Sequence, residues 1–145
     1  MKVTNKSFVM GMTGAMALGF AFTASAQGSA DNQVSTAHAH ALLAQKATTV
    51  AQAQTHLHHV INCLVGANGD GFDAAAGNPC KGQGNGAIPD SASNQALHGK
   101  LESALTDAQA GLKASDLKAV QADAGKAAAA LQATPAQKTS SGYSW

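Results

Sequence analysis

Residues 31–65 run without a single glycine or proline, which commits nearly a quarter of the chain to one kind of local structure. At 100° per residue, Leu42, Leu43, Val50, Leu57, Val60, Ile61 and Leu64 fall within one arc of about 100°, joined by Ala39 and Ala53. That is the stripe of an amphipathic helix. Asp31 or Ser35 suits its N-cap, and Gly66 stops it. Unbroken, such a helix would be roughly 50 Å long, and Thr48-Thr49 is the place where it can bend. Helical patterning resumes at Ser91. Leu97, Leu101, Ala104, Leu105, Ala108 and Leu112 form one stripe, and Leu117, Val120, Ala124, Ala127, Ala128 and Leu131 another. Ser115-Asp116 between them reads as a cap. The connection at Lys113-Ala114 is short enough to force these two helices antiparallel. No stretch alternates with the period of a strand. The expected fold is all-α, a small helical bundle: one long helix plus an antiparallel helical hairpin. It has three helices, or four in up-and-down order if the first one breaks.

Between the two helical stretches lies GANGDGFDAAAGNPCKGQGNGAIPD, residues 66–90, with seven glycines and two prolines. Such a segment is a loop, and a loop this long in a small domain is functional or tied down. Cys63 and Cys80, the only cysteines, flank its first half. In an exported chain the pair is expected as a disulfide. Closing that span should add about 3 kcal/mol through the entropy of the unfolded chain. The competing expectation is a zinc set of His56, His59, Cys63 and Cys80.

Export is expected from the N-terminus. Lys2 and Lys6 precede an apolar run, Phe8 to Phe22, that is too short for a comfortable membrane span. Thr23-Ala24-Ser25-Ala26 then offers small residues for cleavage before Gln27. Residues 1–26 thus read as a signal peptide and 27–134 as a single helical-bundle domain. Residues 135–145 read as a loose tail whose Tyr143 and Trp145 could dock on the bundle. The expected location is the periplasm, or outside the cell, with no membrane span after cleavage. The mature chain would hold seven lysines, no arginine and eight acids. A slightly negative chain without an arginine fork does not suit nucleic acid. Large apolar side chains are scarce, so the core must be built from alanine and leucine.

The chemistry-bearing side chains are six histidines, His38, His40, His56, His58, His59 and His98. His56 and His59 stand at i, i+3 on one helix face, a spacing that can chelate zinc, copper, nickel or cobalt. On a single straight helix, His38 lies five turns from His56 and His40 five turns from His58. Each pair is then about 27 Å apart, so any site would have to be local. His58, on the opposite flank, His98 on a later helix, and His38 are the supporting candidates, with Asp70 and Asp73 available from the loop. Metal affinity should fall below about pH 6, where imidazole protonates. Haem is disfavoured: the mature chain has no methionine, leaving only a bis-histidine pair such as His58 with His98 against an alanine-rich wall.

Other chemistries lack their residues. GANGDGFD has no acid at Gly66 and no glutamate at Gly77, so it is not a calcium loop of the EF-hand type. Glu102 is the sole glutamate, and no serine sits in G-x-S-x-G. An enzyme is not expected.

The segment LHGKLESALTDAQAGLKASDLKAVQADAGKAAAALQAT, together with the leader and the helix histidines, resembles the small His-rich periplasmic metal-binding proteins. That resemblance implies a helical bundle that scavenges or buffers divalent metals. Here the later helices keep only His98, which implies one or two sites rather than bulk storage. The alternative expectation is a non-catalytic structural or interaction module of the cell envelope. Its contact surface would be the stapled loop, through Phe72 and Asn78, and its protein partner is not specified by the sequence.

Overall fold

The computed structural model describes residues 25–132 of the 145. The apolar leader segment and the tail at 135–145 lie outside the described residues. Five helices follow one another: α1 (Ser25–Gln45), α2 (Val50–Val65), α3 (Ala87–Asp90), α4 (Gln95–Lys113) and α5 (Leu117–Ala130). Among the described residues there is no strand, and no helix is long and apolar enough to cross a membrane.

The long stretch without glycine is two helices. Thr49 has an extended backbone and its hydroxyl accepts from Gln52 N at 3.2 Å, the N-cap of α2. Gln52 Oε1 answers by accepting from Thr48 N at 3.1 Å. Together these bonds satisfy donors at the start of α2 that the helix itself cannot pair. The four residues between α1 and α2 fold the second helix back against the first, and α4 and α5 repeat the arrangement through Ala114–Asp116, with Asp116 accepting from Ala119 N. The long helices pack in the cyclic order α1, α2, α4, α5, and α2 and α5 also touch across the diagonal. The bundle has four long helices plus the single turn α3.

The break also changes which residues face the core. α1 buries Ala30, Val34, Ala37, Ala41 and Ala44, at alternating spacings of four and three. Ala39 is exposed, and Leu43, expected on the common stripe, is 47 % exposed. The stripe was phased on one continuous helix, and the break gives α1 a phase of its own. Asp31 and Ser35 lie inside α1 rather than at its cap, because the helix begins at Ser25 and Ala30 already packs inward. α2, α4 and α5 bury most of the expected sets, led by Leu57, Val60, Leu64, Leu101, Val120 and Leu131, while Val50, Leu105, Leu112 and Leu117 are half-buried against the core. Helical structure resumes at Gln95, capped by Asn94, after the turn α3 at the end of the loop.

Two glutamines tie the helix ends together. Gln121 Nε2 on α5 donates to Ala47 O in the α1–α2 turn at 2.8 Å. Gln54 Nε2 on α2 donates to Leu112 O and Ala114 O at 3.1 and 3.3 Å, covering carbonyls left free at the end of α4. Cys63 and Cys80 form the expected disulfide, with Cα atoms 5.2 Å apart. The zinc set that needed both thiolates is therefore ruled out.

Gly66 ends α2 with φ 73° and ψ 171°, a backbone region open almost only to glycine. A side chain there would also run into the backbone at Asn85 and Gly86. Gly66→Ala should lower the unfolding free energy by at least about 2 kcal/mol, read as a shift of the urea midpoint. A midpoint unchanged from the parent chain would contradict this geometry.

Candidate metal site

Folding α2 back onto α1 sets a histidine of the first helix against two of the second. His40 and His56 lie at nearly equal distances along the chain from the turn. His40 Nδ1 is 3.2 Å from His56 Nδ1 and 3.3 Å from His59 Nδ1. All three ligand atoms lie within 4.8 Å of one another, and the three side chains are half-buried.

The loop fixes the orientation of one of them. His59 Nε2 is 2.7 Å from Ala76 O. A carbonyl can only accept, so Nε2 carries the proton and donates it. In neutral His59 the lone pair is then on Nδ1, the atom facing His40. A metal-binding histidine is commonly held in this way, its outward N–H on a backbone carbonyl and its inward nitrogen bare. The loop on either side of Ala76 is held in turn by the buried Asn62, one turn beyond His58 on α2. Asn62 Nδ2 donates to Asp73 O at 2.7 Å and to Gly77 O at 2.6 Å, and Asn62 Oδ1 accepts from Asp73 N at 2.8 Å. Asp73 Oδ1 accepts from Ala75 N at 2.9 Å, which shapes the turn that presents Ala76 O. The disulfide closes the same loop four residues beyond both His59 and Ala76.

Three inward nitrogens leave a problem of protons. At most one fits between His40 Nδ1 and its two neighbours, so two neutral lone pairs are left sharing a single N–H. A divalent ion would satisfy all three. The spacing suits it: zinc–nitrogen bonds of 2.0–2.1 Å at tetrahedral angles put ligand nitrogens about 3.3 Å apart. His40 and His56 also resist protonation. Burial, then the neighbouring His59 and His56, pushes the pKa of His40 from 6.5 down to about 4. Burial and His59 lower that of His56 as well. Both are thereby kept in the neutral, ligating form.

The other nominated histidines are placed elsewhere. His38 is two positions from His40, about 200° around α1, and is not part of the cluster. His58 is turned by the same angle from His56, and its Nδ1 meets Asp73 Oδ2 at 3.2 Å. His98 Nδ1 donates to Ile88 O at 3.1 Å, and its Nε2 faces Glu102 Oε1 at 3.5 Å. Of the five nominated residues the structure brings together His56 and His59, and it adds His40. Along one straight helix His40 stands far from both, so only the chain reversal at Thr48-Thr49 brings it into the group. The Thr-Thr pair with Gln52 three positions later was the signal that could have found it. No protein-family model, curated protein or solved structure matches this chain.

Two outcomes follow for the metal-free protein. In the unfolded chain His40 protonates near 6.5, and in the folded chain only near 4. As pH falls between those values the unfolded state gains the proton first, so stability should drop across that window and level off below it. Denaturant titrations at about pH 7 and about pH 4.5 check this, and His40→Gln should flatten the slope. Asn62→Ala removes one acceptor and two donated bonds from a buried site. It should cost about 2–4 kcal/mol in the same assay.

Proposed function

We propose that this is an exported, non-catalytic helical-bundle protein that captures a divalent transition metal on His40, His56 and His59, buffering or scavenging it outside the cytoplasm. The observation that carries the reading is the convergence of three imidazole nitrogens from two helices within 4.8 Å of one another, two of the separations being those of metal ligands. The outward N–H of His59 on Ala76 O and the depressed pKa of His40 support it. An all-imidazole donor set suits zinc, copper(II), nickel and cobalt better than calcium or magnesium, which take oxygen ligands. Export rests on the leader-like N-terminus, and a disulfide between the only two cysteines agrees with an oxidising compartment. Binding and release are the whole activity in this reading, with no reaction step assigned to any side chain.

Calorimetric titration of the untagged chain with zinc at neutral pH tests it. One ion should bind per chain. His40→Ala, His56→Ala and His59→Ala should each weaken binding by more than the roughly 10–100-fold that loss of an outer-shell partner costs. His38→Ala, His58→Ala and His98→Ala should leave the affinity within a few-fold of the parent. His40→Ala is the most informative, since only the folded geometry nominates that residue. No uptake of zinc, copper, nickel or cobalt would sink the reading, and so would binding that survives all three cluster substitutions together.

A further inference from the structure

We infer that a metal held by this cluster keeps one coordination position for a ligand from outside the chain, and that this position takes a small monodentate anion. The inference deepens the metal-binding reading and rests on it. His40, His56 and His59 supply one nitrogen each: His40 Nδ1 stands 3.2 and 3.3 Å from the other two, the edge of a metal tetrahedron, and all three lie within 4.8 Å of one another. The described residues offer no fourth corner of the same kind. Among the described residues, no other histidine, cysteine, aspartate or glutamate offers an atom to the group. Several side chains of that kind on α2 and the loop are otherwise engaged. Cys63 and Cys80 are bonded to each other, and the carboxylate of Asp73 faces His58. His38 is on another face of α1. Residues 1–24 and 133–145 contain none of these four residue types.

Metal sites that are purely structural are closed by four protein ligands, whereas three protein ligands leave a position for water or a small molecule. Charge decides which small molecule is favoured. Three neutral imidazoles leave the full double charge of the ion uncompensated, and a half-buried setting weakens screening of that charge by water. An anion entering the fourth position neutralises half of it. Because all three histidines are half-exposed rather than sealed in the core, the position is within reach of solvent.

Cobalt(II) makes the position visible, because its absorption in the visible range reports coordination number and ligand type. The untagged full chain would be loaded with one equivalent of cobalt and titrated with sodium azide, with sodium perchlorate as the control for ionic strength. The expected result is a saturable spectral change that fits one azide per cobalt and is absent with perchlorate. Cobalt content should be unchanged after gel filtration. His98→Ala should keep this response, and His40→Ala should lose the cobalt spectrum itself. Cobalt that binds but ignores azide at every concentration would overturn the open position and leave the metal-binding reading standing. Azide that strips the cobalt would do the same. A chain that takes up no cobalt would overturn both.

Discussion

Thr49 accepts from Gln52 N while Gln52 accepts from Thr48 N, and this reciprocal cap starts a second helix where hydrophobic periodicity alone would continue the first. Without it, residues 31–65 would form one rod, with His40 about 24 Å from His56 along its axis. With it, α1 and α2 pack side by side and the two imidazoles meet at 3.2 Å. The local bonds are modest, about 1 kcal/mol for an N-cap. They prevail because reversal also lets both helices bury their small-residue faces against each other and against α4 and α5.

Those faces are small. Ten of the fully buried core positions are alanines, and the larger buried apolar side chains are a few leucines and valines with Ile61. Helices lined with alanine approach closely, and Gly111 on α4 leaves room for Leu57 where a methyl group would crowd its Cδ1 at 2.6 Å. Close approach adds dispersion contacts, but little apolar area is removed from water per residue. A bundle of this kind gains correspondingly from its staples: the disulfide, and the glutamines that bridge helix ends.

The glycine-rich loop, which the disulfide holds down, is the link between stability and the site. A segment with so many glycines loses much entropy on ordering. Three hydrogen bonds from Asn62 and the bond between Cys63 and Cys80 hold it against the end of α2. One product of that order is a carbonyl, Ala76 O, aimed at His59 Nε2. The loop thus selects the tautomer that leaves the inward nitrogen bare. A residue that stabilises the fold and a residue that prepares a ligand are here neighbours on one helix, Asn62 and His59.

The sequence by itself determined the all-helical class, the pairing of Cys63 with Cys80, the hairpin of α4 and α5 and the core faces of α2, α4 and α5. Each of these is set by contacts within a few residues or by a single possible partner, so periodicity, caps and cysteine count suffice. His56 with His59 was legible for the same reason, since i, i+3 neighbours on a helix share a face whatever the fold. Tertiary structure alone decided that His40 completes the group, that His38 is not part of it, and that His58 and His98 turn to Asp73 and Glu102. Which residues of two different helices meet depends on where the chain reverses and on how each helix is rotated about its own axis. A shift of two residues along a helix turns a side chain through about 200°. No one-dimensional pattern carries that rotation; packing of the alanine faces sets it.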